Sequence, residues 1–115
     1  MTPNKKLNQL TCKPTTPKLS HSETQDYLKH LQNHWHINTE GKLEANIRLK
    51  NFKHAMALAN LIADCAEQEN HHPDLQVSYG RLDITLWTHD VQNLSLNDFI
   101  LAAKIDDIIS THHLD

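Results

Sequence analysis

Over one short stretch the hydrophobic period of this chain changes from two to 3.6. Leu43, Ala45, Ile47 and Leu49 alternate strictly with Glu44, Asn46, Arg48 and Lys50, the pattern of a strand with one dry face. From Asn51, a suitable N-cap, the apolar positions Phe52, Ala55, Met56, Ala59, Ile62, Ala63 and Ala66 recur at helical spacing, and a helix is predicted to about Glu69. A strand and a helix that each carry a single apolar side must bury it against something else, so the chain has to build layers.

The flanking sequence supplies the partners. Ser20-His21-Ser22-Glu23 is an S-x-x-E capping box, and Tyr27, Leu28 and Leu31 mark one face of a first helix over about 21–33. Trp35 and Ile37, followed by the turn Thr39-Glu40-Gly41-Lys42, pair with the 43–49 strand as a hairpin. Pro73 disfavours helical torsions in the residue before it, so Asn70-His71-His72-Pro73-Asp74 is a loop. Leu75, Val77 and Tyr79 alternate with polar residues, Gly80-Arg81 turns, and Leu82, Ile84 and Leu86 alternate with Asp83, Thr85 and Trp87, a second hairpin. Ser95 to Asp98 repeats the capping logic ahead of Phe99, Ile100, Leu101, Ala103, Ile105 and Ile108. The expected order is α-β-β-α-β-β-α. The expected fold is a two-layer α+β sandwich with a four-stranded antiparallel sheet covered on one face by helices.

Composition narrows the partners. At 115 residues one packed domain is expected, and residues 1–19 stand apart from it as an extended arm, with 20–115 as the domain. Residues 1–20 hold Lys5, Lys6, Lys13, Lys18 and three of the four prolines without any acid, leaving the remainder acidic. A net charge of −3 argues against nucleic acid as a partner. The most apolar run, Ala55 to Ala66, is interrupted by Asn60 and Asp64 and falls short of a membrane span, so no membrane partner is expected. Lys5 and Lys6 lack a following apolar region, and Cys12 and Cys65 make no disulfide framework, which points to a soluble protein of a reducing cytoplasm.

The unusual count is ten histidines. His89 closes a strand, on the side of Asp83, Thr85 and Trp87 and opposite the core face. His71 and His72 sit at the exit of the central helix, where a non-helical backbone aims neighbouring side chains in ways a strand forbids. His21, His30, His34, His36 and His54 are expected on surfaces and helix faces, with His112 and His113 at the C-terminal end. All seven are left out of the site. Cys65, in an apolar helix, is expected to be inert packing.

The residues Glu67-Gln-Glu-Asn-His-His-Pro-Asp74, followed by Val77-Ser78-Tyr79 and by Leu82-Asp-Ile-Thr-Leu-Trp-Thr-His-Asp90, resemble the signature of the pterin-4a-carbinolamine dehydratases. That pattern places a glutamate four residues before a histidine pair and a third histidine seventeen after its second member, matched here by Glu67, His71, His72 and His89. The similarity covers about residues 19–110, including Trp35, the helix from Phe52 to Ala66, and Leu94-Ser95 ahead of Asp98. The tail around Cys12 and Pro14 resembles longer bacterial-type members but lacks their second tail cysteine, and Leu75 stands where many relatives have an aromatic residue.

The resemblance implies dehydration of 4a-hydroxytetrahydropterin to the quinonoid dihydropterin, which regenerates the cofactor of aromatic amino acid hydroxylases. It implies His71, His72 and His89 as the catalytic set, with His71 and His89 moving protons and His72 binding the hydroxyl. Glu67, Pro73, Thr88, Asp90 and Val91 are implied to complete the pterin pocket. An imidazole with its ordinary pKa of about 6.5 can give or take a proton at neutral pH, so neither a metal nor another cofactor is expected. Glu67 either orients an imidazole, binds the ring or is a solvated acid of the helix. Asp98, three residues after Ser95, is expected to cap its helix. Trp87 either walls the ring or packs in an interface. A homodimer or homotetramer is expected, as in the family. Two rivals stand beside this reading. One is a metal module built on His71, His72, His89 and Glu67, against which adjacent histidines rarely offer two well-angled ligands. The other is a non-catalytic pterin-binding or dimerisation module of coactivator type.

Overall fold

A computed structural model describes residues 6–112; the first five residues of the predicted arm and His113 lie outside that range. The helices are α1 (His21–Leu28), α2 (Phe52–Glu69) and α3 (Leu96–His112). The strands are β1 (Trp35–Ile37), β2 (Leu43–Arg48), β3 (Asp74–Ser78) and β4 (Arg81–Leu86). Their order is the predicted one, and the fold is the predicted α+β arrangement of three helices with a four-stranded antiparallel sheet.

The sheet runs β1-β2-β4-β3, so β2 and β4, one strand from each hairpin, form its centre. Their register sets Leu43 opposite Leu86, Ala45 opposite Ile84 and Ile47 opposite Leu82, and all six side chains are buried. Because side chains alternate along a strand, the same register places Glu44 beside Thr85 and Asn46 beside Asp83 on the other face. There the Asn46 amide donates to Asp83 at 2.7 Å. The hairpin between β3 and β4 turns at Tyr79-Gly80 rather than Gly80-Arg81. Gly80 has φ +71°, and a Cβ there would meet the Leu49 carbonyl at 3.1 Å.

Helix α2 begins where expected, with Asn51 Oδ1 accepting from the His54 amide at 2.9 Å. Its buried stripe is Ala55, Leu58, Ala59, Ile62 and Ala66. This corrects the predicted face: Leu58 belongs to the core, whereas Phe52, Met56 and Ala63 are exposed. Apolar identity marks two adjoining stripes on this helix, and α3 and the sheet together cover one of them.

Helix α1 is shorter than predicted. Its capping box is present, Ser20 Oγ accepting from the Glu23 amide at 3.1 Å and Glu23 Oε1 from the Ser20 amide at 2.8 Å. After Leu28 the chain leaves helical geometry because buried Asp106 on α3 recruits the next segment. The Asp106 carboxylate accepts from the Gln32 amide at 3.0 Å, from His34 Nε2 at 2.7 Å and from the Trp35 indole at 2.8 Å. His34, expected on a surface, is therefore tied to the core's edge.

Residues 6–19 lie against the body of the domain. A 3-10 turn, Leu7–Gln9, sits on α3, and Leu7 and Leu19 pack against the core. With α2 packed on one side of α3 and this turn on another, Phe99, Ile100, Leu101 and Ala102 are all buried around a full helical turn. Among the described residues no helix is long and apolar enough to cross a membrane.

Candidate active site

Helix α2 ends in a Schellman motif that sets the direction of the histidine pair. Asn70 takes the left-handed conformation at φ 53°, ψ 40°, its amide donates to the Glu67 carbonyl at 3.3 Å, and the His71 amide donates to the Ala66 carbonyl at 3.2 Å. The chain thereby turns back and enters β3 at Asp74. Strand β4 meanwhile runs out at Leu86 and passes into a small closed loop. Thr88 and Asn93 exchange main-chain hydrogen bonds, at 2.9 and 3.4 Å, around the 3-10 turn His89–Val91. The exits of α2 and β4 and the start of α3 border one cleft of about 350 Å³, within the usual range for small-molecule sites.

His71, His72 and His89 all line this cleft, together with Thr88, Asp90 and Trp87. Glu67, Pro73 and Val91 lie outside its lining. Glu67 instead stands behind His72, its carboxylate 2.6 Å from Nε2, both side chains being solvent-exposed. The Trp87 and His89 rings stack at 3.9 Å between centroids with 30° between planes. Lys42 Nζ sits 4.4 Å from the centroid of the same indole. Leu75 packs against the core rather than into the cleft.

Asp98 carries more than the predicted cap. It does accept from the Ser95 amide, at 3.0 Å, as a capping acid should. Fully buried, it also accepts from the Thr88 hydroxyl at 2.8 Å and from His71 Nε2 at 2.6 Å. The Thr88 proton being committed to Asp98, the Ser95 hydroxyl donates to Thr88 Oγ1 across 2.7 Å. A carboxylate holding Nε2–H fixes the His71 tautomer and leaves Nδ1 as the basic nitrogen. The acid at Asp98 was visible in the sequence, but its second partner, 27 positions away, was not.

The arm, read from the sequence only as an extended segment, also reaches the cleft. Lys13, Pro14, Thr15 and Thr16 belong to the cleft lining, as does Asn97, and no periodicity in that polar segment signals it. Among the described residues no group of three or more His, Cys, Asp or Glu side chains is placed to hold a metal ion.

Cys12 anchors this segment. Its amide donates to Glu69 at 2.8 Å, and its thiol contacts the Asn97 carbonyl at 3.5 Å. Burial, reinforced by the neighbouring Glu69 charge, pushes the Cys12 thiol up to about 12. Burial and the same Glu69 charge also raise the Cys65 thiol, so both cysteines hold less thiolate at neutral pH than a free thiol does.

Both the sequence and the fold match known proteins. The family model described as pterin 4 alpha carbinolamine dehydratase matches residues 17–108. A protein of Alkaliphilus metalliredigens described as a pterin-4-alpha-carbinolamine dehydratase is 41% identical over 97 residues, 84% of this chain and 87% of its own length. One of Rickettsia canadensis, described in the same words, is 43% identical over 100 residues, 87% of this chain and 92% of its own. A crystal structure from Brucella melitensis, titled as a transcriptional coactivator/pterin dehydratase, superposes with a TM-score of 0.74 at 28% identity, covering 80% of this chain and 98% of that one. With its three histidines gathered at one cleft and nearly the whole domain matched, the chain belongs to the pterin-4a-carbinolamine dehydratase family of hydro-lyases.

Proposed function

We propose that this protein removes water from 4a-hydroxytetrahydropterin to give the quinonoid dihydropterin by proton transfer through histidines. The observation that carries this reading is the meeting of His71, His72 and His89 at one cleft, with buried Asp98 behind His71. The reaction requires a proton for the departing C4a hydroxyl and the removal of one from a ring nitrogen; the C4a–O bonding pair leaves with the water, and the pair released from the N–H bond forms the new double bond to C4a, with no net redox change. His71, its Nε2–H held by Asp98, presents Nδ1 as a base or, when protonated, as an acid. His89 is the second proton-transfer group, its ring supported by Trp87. His72, backed by Glu67, binds and orients the hydroxyl. Thr88 and Asp90 line the same pocket, and Pro73 and Val91, each next in the chain to a lining residue, complete the substrate-binding set.

The same reading makes the protein a cytoplasmic homo-oligomer that serves an aromatic amino acid hydroxylase by recycling its pterin. The test is the rate of carbinolamine loss followed by rapid mixing. Wild type should accelerate it well beyond the buffer rate, and His71→Ala or His89→Ala should each lower kcat roughly 10²-fold or more, the usual size of a general acid or base contribution. His72→Ala should raise KM as well. Wild-type rates in all three variants would remove the assignment.

A further inference from the structure

The histidines account for the chemistry of the cleft but leave the arm in its wall without a role. Lys13 to Thr16 are held there by a side-chain clamp. Asn97, itself only 4% exposed, donates from Nδ2 to the Lys13 carbonyl at 2.8 Å and accepts at Oδ1 from the Lys13 amide at 3.0 Å. One side chain thus completes both main-chain groups of a single residue, as a neighbouring strand would. Asn97 immediately precedes Asp98, so the arm and His71 are fastened to the same turn of α3. Leu7 and Leu19 pack against the core, and a buried amide dedicated to Lys13 fixes the residues that follow it at the cleft.

Thr16 Oγ1 and Trp87 Nε1 are both buried and have no hydrogen-bond partner among the described residues, and both residues are among those that line this cleft. Buried polar atoms are rarely left unpaired, and each such atom is a candidate contact for a ligand. An indole N–H only donates, whereas a hydroxyl both donates and accepts, so the pair complements a flat ring whose edge carries nitrogen and oxygen.

We infer that Lys13–Thr16 form a wall of the pterin site, positioned by Asn97, with the Thr16 hydroxyl and the Trp87 indole N–H reading the edge of the ring. The arm then sets affinity for the substrate and leaves the proton transfers to the histidines. The inference rests on the pterin reading, and the experiment separates the two.

Full-length wild type, Asn97→Ala and Thr16→Val are compared for kcat and KM on the carbinolamine and for amide hydrogen exchange over residues 12–16. Loss of the clamp should strip protection from the Lys13 amide and raise KM about tenfold, as expected for one or two hydrogen bonds, with kcat within about twofold. Thr16→Val should raise KM roughly threefold to tenfold while arm protection stays as in wild type. If Asn97→Ala fails to fold, Thr16→Val decides alone. An active wild type whose variants keep their KM, or lose kcat instead, overturns the arm assignment by itself. A wild type without dehydratase activity overturns the pterin reading and the arm assignment together.

Discussion

At the scale of single residues, Asp98 controls the most. Three donors converge on a carboxylate with no exposure, so its charge is balanced only while all three remain in place. Replacing it with asparagine keeps the volume but puts an amide NH₂ against at least one donor. Asp98→Asn is therefore expected to lower kcat about 10²-fold with a modest change in KM, and to disturb the His71 tautomer, which imidazole ¹⁵N shifts measure. A wild-type tautomer with a wild-type rate would show that Asp98 only caps α3. The three histidines stand out in the sequence by the spacing they share with the dehydratase signature, and they line one cleft. Asp98 matches an acidic position of the family but reads in the sequence as a cap, because an S-x-x-D run is complete without any reference to residue 71.

At the scale of elements, the exit of α2 decides where two of those histidines go. Asn70 occupies a left-handed C-cap that glycine accepts freely and a β-branched side chain does not. Asn70→Val is expected to cost about 1–2 kcal/mol and to lower Tm by several degrees, whereas Asn70→Gly should stay near wild type. Turnover should follow the same ranking, since His71 and His72 are the next two residues. A calorimetric scan with kinetics on both variants checks it. Strand alternation and the period of α2 placed these elements in advance within a residue or two. Their burial was less legible: Phe52 and Met56 fit the helical pattern but are exposed, and Leu58, outside the predicted set, is in the core. The end of α1 was misplaced because Asp106, far along the chain, takes hold of Gln32, His34 and Trp35.

At the scale of the whole molecule, the arm and the body behave as one packed unit, and Cys12 reports on their contact. Its thiol, pushed up to about 12 by burial and Glu69, should be alkylated at pH 8 roughly 30-fold more slowly than an unhindered cysteine. That figure combines a thiolate population lower by about 10³ with the partly compensating nucleophilicity of a more basic thiolate. Asn97→Ala, by loosening the arm, should speed the modification at Cys12 more than at Cys65, as peptide mass analysis would resolve. The sign of the pH effect on stability follows. Above about pH 9 the unfolded chain loses the Cys12 proton while the folded chain keeps it, so this contribution is whole below pH 9 and declines toward pH 12. Cys12→Ala should flatten the fall of Tm across that window. A slope unchanged by the substitution would place the arm away from the body in solution.

What the sequence determined by itself was the features set by neighbours in the chain: element order, the dry face of the sheet, and the caps of α1 and α2. Those follow from side-chain period and local hydrogen bonding, which act over a few residues. The tertiary structure alone decided which stripe of α2 is covered, that Asp98 grips His71, and that a polar arm closes one side of the cleft. Each of these depends on groups dozens of positions apart finding one another, and no local pattern records a bond whose two ends are chosen by packing.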